Sequence, residues 1–275
     1  MKKLEEYIKE SFVLDTNEES YIVEGININT NDKTVSLTDN HDNGVDFSLV
    51  NNPVYDKYKE YDVISIFKRN KLYDINNDQR DGNPFIYALK NKFGWKFNIT
   101  NEEITKYIRR FLDICNKIKN KYDTIVMTPS STDLNTKFMK VISKQVESSK
   151  IINEFFVKLT KEEIVDDDLI DKEGIMKDYP DSYNKVLAEI NRSFRRMKGI
   201  YFEAKMLKKE YLKYIKYIGE ESNIENLRQF IDDKDILLLD NTISSGETIS
   251  QCIDGITSNF TPKSITIVTL LSKLN

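Results

Sequence analysis

The chain has 275 residues, 39% of them hydrophobic and 31% charged, with a formal net charge of −4. This is enough material for one large domain or two ordinary ones, and its stock of Ile, Leu, Val, Phe and Tyr excludes a disordered chain. The negative balance gives no overall attraction to nucleic acid or anionic membrane, two cysteines exclude a disulfide framework, and a single histidine excludes most His-based catalysis.

Residues 1–10 read as a short helical start. Its acids, Glu5 and Glu6, stand where a signal peptide would be apolar. Short β-type runs follow at 21–23, 34–38, 45–50 and 62–67, separated by Asn-Asp and Asp-Asn-Gly turns. His41 falls in one of these polar turns and reads as a surface residue. Residues 71–84 carry Asp-Gly and Asn-Pro breakers and read as a linker or exposed loop. The aromatic runs 84–89 and 93–95 read as a packing junction. The division expected is a β-rich N-terminal module at 1–84, serving as a lid or protein-interaction unit, and an α/β domain at 85–275.

Ile104, Ile108, Phe111, Leu112, Cys115 and Ile118 keep a helical period across 101–121. A short apolar strand at 123–127 then ends in Thr128-Pro129-Ser130-Ser131-Thr132. Behind it, Leu134, Phe138, Val141, Ile142 and Val146 form the apolar stripe of a helix. Residues 151–159 read as one strand, and 162–168 as an acidic stretch without clear periodicity. A long Lys/Tyr-rich helical pattern is expected over 182–218. Cys115 and Cys252 both fall in predicted helices, and no run reaches membrane-helix length, so the cytoplasm is the expected location.

The densest signal is Ile236-Leu237-Leu238-Leu239-Asp240-Asn241-Thr242-Ile243-Ser244-Ser245-Gly246-Glu247-Thr248. Four aliphatics in a row predict a strand buried on both faces. Ile249, Cys252, Ile253 and Ile256 predict the helix behind the loop, and a last strand spans 264–270. A Ser/Thr/Gly loop between strand and helix N-terminus presents backbone N–H groups to a phosphate. The carboxylate at the strand's end points to the sheet edge where open α/β folds bind ligands. The loop is neither a Walker A nor a Gly-x-Gly-x-x-Gly. The plain alternative is an ordinary turn with Thr and Ser as helix caps.

This segment resembles the phosphoribosyl-pyrophosphate (PRPP) motif of type I phosphoribosyltransferases: four hydrophobics, two acids, a hydrophobic pair, then Thr-Thr/Ser-Gly-x-Thr. Asn241 departs from it where the second acid usually sits, and Glu247 where a second glycine is common. Pro129, Ser130, Ser131 and Thr132 occupy the place of that family's pyrophosphate loop. The stretch 192–202, with Arg195 and Arg196, resembles the Arg-rich segment of the competence-associated branch of the family. Its alternative reading is a solvated basic helix face. The resemblance covers roughly residues 120–275.

The resemblance implies a mostly parallel sheet with flanking helices and the transfer of ribose 5-phosphate from PRPP to an unassigned nitrogenous acceptor. Asp240 and Asn241 would be the catalytic pair. Thr242, Ser244, Ser245, Gly246, Glu247 and Thr248 would bind the 5′-phosphate, and Pro129 to Thr132 with Arg195 and Arg196 the pyrophosphate. Mg²⁺ would be carried on PRPP rather than on protein ligands. A loop near 162–168 would close over the substrate. The alternative implied by Asn241 is an inactive PRPP- or nucleotide-binding protein with a regulatory or defence-associated role. No membrane partner is expected, and nucleic acid is not the expected partner.

Overall fold

A computed structural model describes residues 24–39, 44–70, 84–118, 121–130, 132–146, 148–221, 224–243 and 245–272. The helical start at 1–10, the run 21–23, His41, most of the 71–84 loop, Ser131 and Ser244 lie outside the described residues.

The protein is mixed α/β, with a large, mostly parallel sheet and a β-rich N-terminal part. That part comprises β1 (Gly25–Asn29), β2 (Thr34–Thr38), β3 (Val45–Asp46), β4 (Val54–Tyr58) and β5 (Tyr61–Arg69). Helix α1 (Pro84–Leu89), β6 (Lys96–Phe97) and α2 (Asn101–Cys115) lead to β7 (Tyr122–Met127). Next come α3 (Leu134–Gln145), β8 (Ser148–Ile152), β9 (Phe156–Lys158), α4 (Lys161–Asp166), α5 (Lys172–Asp178) and α6 (Tyr183–Arg196). After α7 (Lys209–Leu212), β10 (Ile218–Glu220) and α8 (Arg228–Ile231) the chain closes on β11 (Asp235–Thr242), α9 (Glu247–Asn259) and β12 (Ser264–Leu271).

The main sheet runs β6-β2-β1-β3-β5-β12-β11-β7-β8, with β4 also on β5. The neighbours β5, β12, β11, β7 and β8 are all parallel, with Leu238 opposite both Ile267 and Val126. Strand β5, the last of the N-terminal β-rich stretch, therefore lies inside the parallel sheet against β12.

Alternation along β11 feeds two cores. Leu237 and Leu239 pack with α2 and α3 through Phe111, Phe138 and Ile142. Ile236 and Leu238 pack on the other face with Ile249, Cys252 and Ile253 of α9 and with Ile190 of α6. A strand covered on both sides must be apolar throughout, which the four aliphatics supply.

Several expected elements are corrected. The single strand at 151–159 is two strands in different sheets: β8 pairs with β7, and β9 pairs antiparallel with β10. The break falls where Phe155 and Phe156 are both buried and contact each other, which one extended strand cannot provide. Within 182–218 the long helix is Tyr183–Arg196; Met197 turns extended (ψ 120°), and Phe202, Leu207, Tyr211 and Tyr214 reach the core from short turns. The acidic stretch contains α4, whose Thr160 and Glu163 form a capping box that apolar periodicity alone does not reveal. The run 45–50 pairs only at Val45–Asp46, because Asp46 accepts from the Ser48 N–H (2.7 Å) and the Asn51 amide (2.6 Å) and turns the chain. The helix expected to reach 121 ends at Cys115. The aromatic junction contains α1, whose Phe85 packs on Phe47 and Phe97. Strands β1, β4 and β6 had no expected counterpart.

Candidate functional site

The crevice between β7 and β11 is where the sheet changes direction. From β7 the chain passes through α3 to β8 on one side; from β11 it passes through α9 to β12 on the other. The two helices cover opposite faces. Such a switch point leaves an opening beyond the strands' carboxyl ends that neither connection fills. Thr128, just after β7, and Asp240, near the end of β11, lie side by side at this place.

Asp240 stands at the centre, half-buried. It accepts the Asn241 N–H at 2.7 Å, and the Thr128 and Asn135 side chains lie near it. Thr128 continues the ladder, its N–H bonding the Leu239 carbonyl at 3.0 Å. Asn135, in the first turn of α3, donates to the Thr128 carbonyl and hydroxyl oxygens, both at 3.1 Å. Burial pushes the Asp240 carboxyl above its ordinary value, and these hydrogen bonds together with the nearby Lys90 charge oppose the rise. Lys90 follows α1 and Lys158 ends β9. Burial lowers both ammoniums, and both feel Asp240 and Lys92.

The structure does not put Asn241 beside Asp240 on one face. Strand alternation sends its amide to the side of Leu237 and Leu239, where it is 5% exposed and its Oδ1 has no hydrogen-bond partner among the described residues. Thr242 is half-buried at the end of β11. Ser245 is exposed and accepts weakly from the Glu247 N–H (3.4 Å). Gly246 has a left-handed backbone (φ 80°), and no side chain caps α9. The Thr248 hydroxyl is 3.0 Å from that of Tyr217. Pro129, Ser130 and Thr132 form the turn after β7, with the Thr132 N–H bonded to the Ser130 hydroxyl at 3.3 Å. Arg195 and Arg196 are exposed in the last turn of α6; Arg195 donates to the Asn191 carbonyl, and neither is hydrogen-bonded or ion-paired to the Asp240 cluster.

Sequence reasoning did not single out Thr128, Asn135, Lys90, Lys158 or Tyr58. Thr128 and Asn135 flank the turn already quoted, and their polar character at a buried strand-to-helix junction was the available signal. Tyr58 and Lys90 come from distant segments and carry no local signal.

Among the described residues no group of three or more His, Cys, Asp or Glu gathers to hold a metal. The groups around Asp240 are hydroxyl, amide and ammonium. This donor set does not fit a divalent ion held by the protein, which wants several oxygens and no adjacent cations. A separate open groove of about 690 Å³ runs outside α9 and takes in Glu247, but its lysines are ion-paired, Lys213 with Asp178 and Lys216 with Glu220. The convergent groups lie at the strand ends instead. No helix among the described residues is long and apolar enough to cross a membrane. Compared with protein-family models, curated proteins and solved structures, the chain matches none.

Proposed function

We propose that this chain is a phosphoribosyltransferase-like protein that binds PRPP and transfers its ribose 5-phosphate to a nitrogenous acceptor. The observation that carries this reading is the parallel pairing of β7 with β11, which sets Thr128 and Asn135 beside Asp240 at the switch point. The motif resemblance supplies the substrate; the geometry supports a ligand with both a phosphate and neighbouring hydroxyls.

In this reading Asp240 accepts from the ribose hydroxyls, and the uncapped start of α9 faces the 5′-phosphate. The C1–O bond to pyrophosphate breaks with its electron pair, a C1–N bond forms to the acceptor, and the acceptor's proton leaves to water or pyrophosphate. The chain's share is positioning and charge stabilisation. No step is assigned to Mg²⁺, which would travel on the ligand's own oxygens.

The burial of Asn241 and its place on the opposite face favour a second reading, a PRPP- or nucleotide-binding regulator without transfer activity. The β-rich N-terminal part would then carry a protein partner.

Calorimetric titration with PRPP, with and without Mg²⁺, tests both readings. Binding by the wild-type protein that falls about tenfold or more in Asp240→Ala supports the site, on the scale of one lost charge-assisted contact. A folded protein that binds no PRPP overturns it. A screen of nitrogenous acceptors for pyrophosphate release then separates enzyme from regulator.

A further inference from the structure

The Tyr217 hydroxyl lies 3.0 Å from that of Thr248, in the first turn of α9. The tyrosine comes from the segment leading into β10 and is held in place by contacts that do not involve its hydroxyl. Its N–H and that of Ile218 donate to the Gln251 Oε1 at 2.9 and 3.1 Å, and the Gln251 Nε2 donates to the Ile215 carbonyl at 2.7 Å. Its carbonyl accepts the Leu159 N–H at 3.1 Å. Its ring stacks on Phe202, the centroids 4.9 Å apart and the planes inclined by 28°. Gln251 stands one helical turn after Thr248, so a single face of α9 fixes both the backbone and the hydroxyl of Tyr217.

Either hydroxyl of this pair could donate to the other, and burial decides which one does. Tyr217 is 3% exposed, and its hydroxyl has no other hydrogen-bond partner among the described residues. Were Thr248 the donor, the phenolic proton would stay buried and unpaired, at the full cost of its desolvation. Tyr217 therefore donates and Thr248 accepts. The Thr248 proton is then turned away from Tyr217. Thr248 is half-buried, and among the described residues its hydroxyl makes no second hydrogen bond. It is left as a directed donor without an acceptor, beside a helix start that no side chain caps.

We propose that Tyr217 is a positioning residue for the 5′-phosphate: by donating to Thr248 it commits the Thr248 proton to a phosphoryl oxygen of the ligand. An ionised phosphoryl oxygen accepts more strongly than a sugar hydroxyl, and the N-terminus of the 13-residue helix α9 adds to that preference. The inference rests on the reading of 242–248 as the phosphate loop. It deepens that reading by giving the loop a support 31 positions upstream of Thr248, outside the motif.

The test is calorimetric titration of the full chain with PRPP and with ribose 5-phosphate in the presence of Mg²⁺. The proteins compared are wild type, Tyr217→Phe, Thr248→Val, Thr248→Ser, and Tyr217→Phe combined with each Thr248 variant. Tyr217→Phe keeps the ring on Phe202 and the backbone bonds to Gln251, so it removes the phenolic hydroxyl alone. Thermal unfolding verifies that each variant is folded. Tyr217→Phe should weaken both ligands about three- to tenfold, the scale of one hydrogen bond. With Thr248→Val it should cost nothing further, whereas with Thr248→Ser, which keeps the hydroxyl, the loss should reappear. A merely structural role for Tyr217 predicts the same loss in every background, and such additivity overturns the inference. A loss seen with PRPP and absent with ribose 5-phosphate also overturns it, by placing Tyr217 at the pyrophosphate end. PRPP that binds wild type and Tyr217→Phe alike overturns the inference while leaving the PRPP reading intact. A folded wild-type protein that binds neither ligand overturns both.

Discussion

The Tyr58 hydroxyl donates to the Gly246 carbonyl at 3.0 Å, latching the β4–β5 hairpin onto the loop that opens α9. The contact spans 188 positions in the chain. Beside it, the Lys59 ammonium donates to the Ser250 hydroxyl at 2.8 Å. The N-terminal hairpin therefore braces the backbone expected to hold a phosphate.

This bracing makes Gly246 irreplaceable. Its φ of 80° strains any L side chain, and an added Cβ would lie 2.3 Å from the Tyr58 ring. Gly246→Ala should destabilise the protein by about 1–3 kcal/mol, read as a drop in the denaturation midpoint. Adding Tyr58→Ala relieves the clash but not the backbone strain, so the double variant should recover only part of the loss. Full recovery would show that the backbone is relaxed there.

Asp240 separates two parts of the expected ligand. Asp240→Ala should weaken PRPP about tenfold or more by removing the acceptor for ribose hydroxyls. Pyrophosphate should bind at least as tightly as before, because a negative charge has left the neighbourhood of Lys90 and Lys158. Parallel titrations check this; equal losses for both ligands would place Asp240 elsewhere in the recognition.

Leu238 is fully buried, facing α9 from the middle of β11. Leu238→Ala should cost about 2–5 kcal/mol by opening a cavity between sheet and helix, measured by chemical denaturation. A loss below 1 kcal/mol would mean that α9 collapses onto the gap.

Asn241→Asp restores the acid expected at the second position of the motif, yet the side chain is 5% exposed and faces Leu237 and Leu239. The new charge would be buried without a partner, so the midpoint of thermal unfolding should fall, by about 2–3 kcal/mol in stability. Pyrophosphate release in the presence of acceptors is the companion measurement. A rise in release despite lower stability would favour a decayed enzyme.

Elements with complete local patterns were legible in the sequence. The aliphatic run before Asp240, the helix carrying Ile249, Cys252, Ile253 and Ile256, and the last strand all formed as expected, with β12 one residue longer. Burial on both faces or a 3.6-residue stripe specifies such elements without reference to the rest of the chain. Phe155 and Phe156 show the limit: an apolar run reads as one strand until packing demands both rings on one side.

The sequence by itself determined the two loops, their order, and the acid at the end of a buried strand. The tertiary structure alone decided that β7 lies beside β11, which brings Thr128 and Asn135 to Asp240. It also decided that Tyr58, from a distant segment, latches onto the loop that opens α9. The reason is physical. Strand and helix patterns are local, within a few residues, whereas neighbours across a sheet are chosen by the joint burial of both faces, which no short segment encodes.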